Sequence, residues 1–181
     1  MSVYRMTGMK RFSADELLGG ISYTYTTRLL GKTNIQSIFA LCSNNEQYYR
    51  FHPPFVTVES IVEDMSALPP GKDAGAKFFY GYFDGQKLTA LMDLVVDYPA
   101  EDIAFFGLFM MDKALQGKGT GSRIVSECAY FLKRNGYKKL RLAVDKGNPQ
   151  SKVFWLKNGF TFTGEEYPNG EFSYLPMEQI M

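Results

Sequence analysis

An α/β (α+β) fold built on one mixed sheet with a parallel crossover is what this chain predicts, and three observations carry the prediction. Two runs of aromatic and branched residues, FFYGYF from Phe78 and KLTALMDLVV from Lys87, flank Asp84-Gly85. Both positions of that dipeptide accept positive φ, so the passage reads as an antiparallel hairpin. A third apolar run, Ile103–Met111, is followed directly by a glycine-rich stretch and then by Ile124, Val125, Cys128, Phe131 and Leu132 at helical spacing. Finally, Leu140, Leu142 and Val144 alternate as another strand; a strand, a helix and a second strand in this order make the crossover that parallel neighbours need.

The remaining elements follow along the chain. Ile21, Tyr23, Tyr25 and Thr27 alternate with Ser and Thr, the period of a strand, and helical patterns lie near 34–43 and 57–67. Residues 68–75, LPPGKDAG, form the loosest stretch and separate the two halves. After the glycine-rich stretch, Asn135-Gly136 stops the first long helix. Asn148 caps the next helix, Pro149 occupies the first turn where proline is tolerated, and Asn158-Gly159 ends it. Closing strands are expected over 160–165 and 171–176.

Bulk properties narrow the functional classes. A chain of 181 residues with 45% hydrophobic side chains buries a core as one domain. Lys and Arg number 20 against 19 Asp and Glu, so no overall field attracts nucleic acid or a membrane. Two cysteines and one histidine offer neither a disulfide framework nor a metal set, so we expect no metal and a reduced, cytoplasmic setting. The first residues, MSVYRMTGMKRFSADE, show no export signal, and no apolar span approaches 18 residues. The basic residues Lys133, Arg134, Lys138, Lys139 and Arg141 cluster around a helix end, where cations are usually solvated or compensate the helix dipole; a nucleic-acid site there is a distant third reading that would require a strongly salt-dependent DNA affinity.

The glycine-rich stretch is Gln116-Gly117-Lys118-Gly119-Thr120-Gly121-Ser122. It is not a P-loop: Gly31-Lys32-Thr33 has the end of that motif, but Thr26 stands where its first glycine belongs. It is not a dinucleotide fingerprint either, because the last glycine of that pattern would fall on Ser122 or Ile124. The spacing present is Gln116-x-x-Gly119-x-Gly121 between a buried strand and an amphipathic helix. Downstream come Asn148-Pro149-Gln150-Ser151 and Phe154-Trp155-Leu156-Lys157-Asn158-Gly159-Phe160. In these two landmarks, and over roughly residues 77–176, the sequence resembles the GNAT superfamily of N-acetyltransferases.

The resemblance implies a single domain over 1–181 with a mixed, mostly antiparallel sheet of about seven strands, helices on both faces, and strands 4 and 5 parallel and splayed. Residues 1–75 would form the acceptor-side half and 76–181 the acetyl-CoA-binding half. It further implies acetyl-CoA as cosubstrate, with the pyrophosphate held by Gln116, Gly117, Lys118, Gly119, Thr120, Gly121 and Ser122. The pantetheine arm would pair with the backbone of Phe109, Met110 and Met111 and touch Asn148. Elementary physics agrees: glycines expose successive backbone N–H groups, and a helix start adds partial positive charge. The implied reaction transfers acetyl directly to the primary amine of a small-molecule or peptide acceptor through a ternary complex; nucleic acid and membrane are not expected partners, and a homodimer is compatible with the family.

Direct attack requires a deprotonated amine. A lysine-like amine with pKa ~10.4 lies about three units above neutrality, a cost of roughly 4 kcal/mol that a base or a desolvating site must offset. Some family members place a glutamate where this chain has Phe105, and a tyrosine acid where it has Trp155, whose indole donates a hydrogen bond but is no general acid. Asp93 interrupts an apolar strand and is the candidate replacement base if it faces the cleft; otherwise it meets solvent or a neighbouring backbone. His52, beside Pro53-Pro54, titrates near neutrality when unperturbed, but such a histidine is more often structural or exposed. Cys42 and Cys128 read as core thiols. The aromatic residues Tyr48, Tyr49, Phe51, Phe55, Phe78, Phe79 and Tyr80 suit either an acceptor pocket or the core. The two departures also motivate an alternative, a catalytically silent acyl-CoA-binding sensor with the same fold.

Overall fold

The computed structural model describes residues 11–181. Residues 1–10, which carry most of the reading on export signals, lie outside the described residues. Eight strands form one sheet in the order β1-β2-β3-β4-β5-β8-β6, with β7 paired to β8 away from that path. The central four are β2 (Lys77–Asp84), β3 (Lys87–Val96), β4 (Ile103–Met111) and β5 (Lys139–Asp145). β1 (Thr26–Leu29) pairs with β2, while β6 (Thr161–Phe162), β7 (Tyr167–Asn169) and β8 (Phe172–Ile180) close the other side. Only β4 and β5 run parallel; every other pair is antiparallel. The expected hairpin and crossover are therefore both present, and the sheet has one strand more than the expected seven.

Alternation along the strands supplies two cores. One sheet face carries Tyr80, Tyr82, Met92, Leu94, Ala104 and Phe106 against α1 (Ala14–Gly20) and the Ile124, Val125, Cys128 and Leu132 stripe of α5 (Thr120–Arg134). The other carries Phe79, Phe83, Leu88, Leu91 and Met110 against Ile38, Leu41 and Cys42 of α2 (Ile35–Ser43) and Ile61 of α4 (Val58–Ser66). The short α3 (Glu46–Phe51) lies between these two helices, and α6 (Pro149–Lys157) follows β5. Cys42 and Cys128 are both buried free thiols, with pKa values raised by burial to about 11 and about 12.

The N-terminal strand differs from its expectation. Ile21 ends α1, and residues 22–25 turn around Glu127 of α5 instead of extending. Ser22 Oγ and Thr24 Oγ1 donate to that carboxylate at 2.7 and 2.9 Å, and the Tyr23 N–H at 3.0 Å. The hydroxyls that looked like the solvent face of a strand are ligands of a distant acid, so only Thr26–Leu29 pairs. At the other end, β8 runs through Pro176 to Ile180, and β6 keeps only two residues.

One irregularity organises the sheet. Asp93 pairs with Leu108 and Leu94 with Phe106, which leaves Gly107 as an extra residue bulged from β4. A Cβ on Gly107 would lie 2.6 Å from Asp93 Oδ2. Just there the β4–β5 ladder, which runs from Ile103 and Lys139 to Phe106 and Leu142, comes to an end. Beyond it β4 continues beside β3 and β5 beside β8, so the two parallel strands separate.

At the foot of the sheet, Asp102 pairs with Arg11 and, at 2.6 Å, with Lys138. Lys139 meets Glu178 at 3.1 Å and Arg141 meets Glu165, so three members of the basic cluster sit beside carboxylates.

Both the bulge and the Asp102 cluster lend themselves to measurement. Gly107→Ala should destabilise the fold by about 1–3 kcal/mol through overpacking at the bulge, whereas Gly19→Ala, in helix α1 with nothing within 4 Å of the added carbon, should stabilise it by about 0.5–1 kcal/mol; urea unfolding measures both. The bonds to Lys138 and then Arg11 hold the Asp102 carboxyl down to about 2. Its contribution is complete above the unfolded value of ~3.9 and disappears as pH falls through about 2. The Tm deficit of Asp102→Asn should therefore be largest near neutral pH and close across that window.

Candidate active site

The separation of β4 from β5 leaves the facing backbone groups of 107–111 and 143–145 without ladder partners. A cleft of about 910 Å³ occupies the gap. Its floor is β4 from Phe105 to Met111 and β5 from Leu142 to Asp145; α6, α3 and the glycine loop form the rim.

The glycine loop is built as its composition requires. Gly117 and Gly119 have φ of +73° and +82°, a region glycine enters without strain. Gly119 is the N-cap of α5, so no side chain caps this helix start. Among the described residues no acceptor meets the N–H groups of Gly117, Lys118 or Gly119, and the first-turn N–H groups of α5 have no intrahelical acceptor. Gly121 serves closeness instead: a Cβ there would meet Met111 Sδ at 3.0 Å and the Phe154 ring at 3.1 Å.

Across the cleft, Asn148 caps α6 by accepting the Ser151 N–H at 3.1 Å, and it is buried. Its side-chain amide nitrogen has no partner among the described residues. Gln150 Nε2 donates to Gln116 Oε1 at 3.1 Å, and Gln116 Nε2 to Asn45 Oδ1 at 2.7 Å. Asn45 in turn donates to the Met111 carbonyl at 3.1 Å. This chain of amides ties α6, the glycine loop, the α2–α3 junction and the end of β4 together. Asn45 carried no local sequence signal, because its partners lie up to 71 residues away.

Of the residues singled out in the sequence, Phe109, Met110, Met111, Gln116, Gly117, Gly119, Gly121, Ser122 and Asn148 all line the cleft. Lys118, exposed, and Thr120 are in the same loop but off the wall. Phe105 and Trp155, in the two positions discussed for base and acid, are both on the wall. Trp155 packs edge-on against Phe154 and Phe160 with centroids 4.9 and 5.0 Å apart.

Asp93 is not brought to the cleft. It lies on the sheet face toward α4, where Lys77 Nζ donates to its Oδ2 at 2.7 Å. The same ammonium donates to the carbonyls of Asp64 and Ala67, at the C-terminal end of α4, so all three of its protons are used. Both side chains are nearly buried, 6% and 13% exposed. Desolvation outweighs the lysine and raises the Asp93 pKa. The strand aspartate has a reason, but the reason is a clamp between α4 and the bulge.

The α3 side of the rim contains a pair the sequence could not show. His52, at the end of α3, places Nδ1 3.1 Å from Asp145 Oδ1, at the end of β5. The Tyr48 ring stacks on the imidazole with centroids 5.0 Å apart, and Tyr174 of β8 lies 5.9 Å away. All four residues line the cleft. Burial, and after it the charge of Asp145, raises the Tyr48 phenol pKa; burial also raises that of Tyr174.

A mostly antiparallel sheet opened at its one parallel pair, with an uncapped glycine loop at the opening, defines an acetyltransferase architecture. Residues 40–160 match the model of the Acetyltransferase (GNAT) family, and the chain belongs to that family. Its fold is similar to that of an acetyltransferase from Thermus thermophilus, at 19% identity and a TM-score of 0.70 over 86% of this chain and 96% of that one. It is likewise similar to the PaiA N-acetyltransferase from Thermoplasma acidophilum in complex with coenzyme A, at 19% identity and a TM-score of 0.61 over 86% and 98%. The ribosomal-protein-S18-alanine N-acetyltransferase from Escherichia coli follows at 15% and 0.62 over 87% and 94%. A comparison with curated proteins found no match. Among the described residues there is no cluster that could hold a metal ion and no helix long and apolar enough to cross a membrane.

Removing one partner of the Lys77–Asp93 pair leaves a buried charge uncompensated. Lys77→Met should cost about 3 kcal/mol in urea unfolding at neutral pH, and Lys77→Met/Asp93→Leu should recover most of that loss.

Proposed function

We propose that this protein is an acetyl-CoA-dependent N-acetyltransferase that moves acetyl directly to the primary amine of a small-molecule or peptide acceptor within a ternary complex. The observation that carries the reading is the coincidence, in one cleft, of an unpaired strand edge and an uncapped helix start preceded by left-handed glycines. The residues fit the cosubstrate. The N–H groups from Gly117 to Ser122 suit a pyrophosphate, since they point a partial positive charge outward with no side chain above Gly117 or Gly119. The edge of Phe109, Met110 and Met111, whose Met111 carbonyl already accepts from Asn45 and Gln116, suits the amide-bearing pantetheine arm, which would pair with it as an added strand, and the uncommitted amide of Asn148 faces the same cleft. Gln116 and Ser122 complete that grip, with Lys118 and Thr120 beside it. The PaiA structure was solved with coenzyme A, which supports the same assignment here.

When bound, the cosubstrate supplies a thioester carbonyl as electrophile. The chain's own task is to orient that carbonyl at the strand edge, exclude water with Phe105, Phe109, Phe154 and Trp155, and accept a proton from the amine. No covalent enzyme intermediate is needed, in keeping with two buried thiols whose pKa values are raised. The second reading, a silent acyl-CoA sensor, draws on Phe105 and Trp155 standing on the cleft wall.

Calorimetric and thermal-shift titration with acetyl-CoA tests the proposal, with ATP and NADH as controls. Saturation at about 100 Kd should add ~2.7 kcal/mol, a rise of several degrees in Tm. Gly119→Asp, which strains a left-handed position and repels phosphate, should abolish the effect. Tight binding without thiol release from any amine would favour the sensor, and no binding would refute both.

A further inference from the structure

We infer that His52 is the group that takes the proton from the acceptor amine, with Asp145 as its positioning residue; this rests on the acetyltransferase reading above.

The geometry is that of a base held by an acid. Asp145 is 7% exposed on its side chain, and the imidazole is the sole side chain among the described residues within hydrogen-bond reach of its carboxylate. A buried carboxylate demands a donor, so the neutral imidazole carries its proton on Nδ1. The lone pair is then on Nε2, which has no partner among the described residues. The ring lines the cleft and is 39% exposed, open to a substrate from the acceptor side. Tyr48 stacked on one face limits its rotation. This is the orienting logic of a catalytic His–Asp pair, in which the carboxylate fixes tautomer and direction.

Position supports the role. Asp145 ends β5 on the far side of the gap from Met110 and Met111, so His52 reaches over the separation between the two strands from α3. The groups facing the imidazole are Asp145 from β5, Tyr174 from β8 and Tyr48 from its own helix, and the charge of Asp64 on α4 acts on it without contact. Asp93, the other acid considered, is bound to Lys77 and absent from the cleft wall.

An acceptor arriving as R–NH3+ gives one proton to Nε2. Its nitrogen then forms a C–N bond to the acetyl carbon as the C–S bond breaks. The second proton lost from nitrogen ends on the departing sulfur, and the imidazolium returns its proton to solvent.

The chain has a single histidine, which makes the test unambiguous. Wild type, His52→Gln, Asp145→Asn and His52→Gly are assayed for thiol release from acetyl-CoA with spermidine, kanamycin, lysine and a short peptide as amines. The fastest amine is then carried through a kcat pH profile. We expect wild-type kcat to rise with pH through one ionisation, and the histidine Cε1–H resonance to titrate with it. His52→Gln should lower kcat by about 10²–10⁴-fold and erase that limb, while calorimetric affinity for acetyl-CoA stays within about twofold. Asp145→Asn should shift the limb and lower kcat, and imidazole should restore activity to His52→Gly.

A His52→Gln enzyme within about threefold of wild type with its pH limb intact would reduce the pair to a tie between α3 and β5 and overturn the assignment. If the variants do not fold, a mismatch in wild type between the resonance titration and the kcat limb overturns it equally. Acetyl-CoA binding without thiol release from any of the amines would also remove it; absence of binding would instead fail the reading on which it rests.

Discussion

The cleft in this molecule depends on the hydrogen bonds that β4 and β5 do not make. A parallel pair buried on both faces ordinarily keeps its ladder to the end, because each unpaired N–H or C=O away from water costs as much as a lost hydrogen bond. Here the ladder stops after Phe106 and Leu142, and the strand edges beyond it line a cleft. The bulge at Gly107 turns β4 while keeping it paired to β3, and β5 stays paired to β8, so the separation costs the sheet only the facing sides of these two strands. Glycine is required because the Asp93 carboxylate occupies the volume of a side chain at that point.

The clamp behind the bulge explains the placement of Lys77 and Asp93. A buried ion pair is a poor source of stability compared with an apolar contact of equal volume. It does, however, satisfy directional groups that an apolar contact cannot. Lys77 closes two carbonyls at the end of α4 and one oxygen of Asp93 with its three protons, joining the α4 helix layer to the strand paired with the bulge that opens the cleft. The other Asp93 oxygen is buried without a partner among the described residues, which fits a carboxyl whose pKa burial has raised.

How much of this was legible depends on range. The hairpin signalled by Asp84-Gly85, the strand Ile103–Met111, the glycine loop and the Asn148 cap each rest on contacts within a few residues, and all four are present, with the hairpin's turn one residue further on at Gly85-Gln86 while Asp84 stays paired in β2. Even the missed helix α1 had a local signal, since Ser13 and Glu16 form a reciprocal capping box. What the sequence could not reveal is set by distant partners. Alternation at residues 21–27 was real, but Glu127, more than a hundred residues away, turned the hydroxyls into ligands and shortened the strand. Asp93 was correctly singled out as an acid needing a reason, yet the strand pattern could not say that Lys77 lies on the same face.

The same limit governs the two ends of the cleft. The glycine-loop end is made of backbone, and backbone chemistry is written in consecutive residues, so its glycines and cap can be found by spacing alone. The other end, where the proposed base lies, is made of side chains from α3, β5 and β8, and its key contact joins residues 93 apart in sequence. No periodicity marks His52 or Asp145 individually: one sits beside two prolines, the other ends an ordinary strand. Their meaning comes from burial. In water an aspartate facing an imidazole at 3.1 Å would contribute little, but Asp145 is almost out of solvent, where an unmatched carboxylate is costly and its one donor is held strongly. Position at the rim then leaves the opposite ring nitrogen open to the cleft. On the proposed reading, a chain with Phe105 on the cleft wall keeps an apolar floor beneath the thioester and brings its base from the helix layer above.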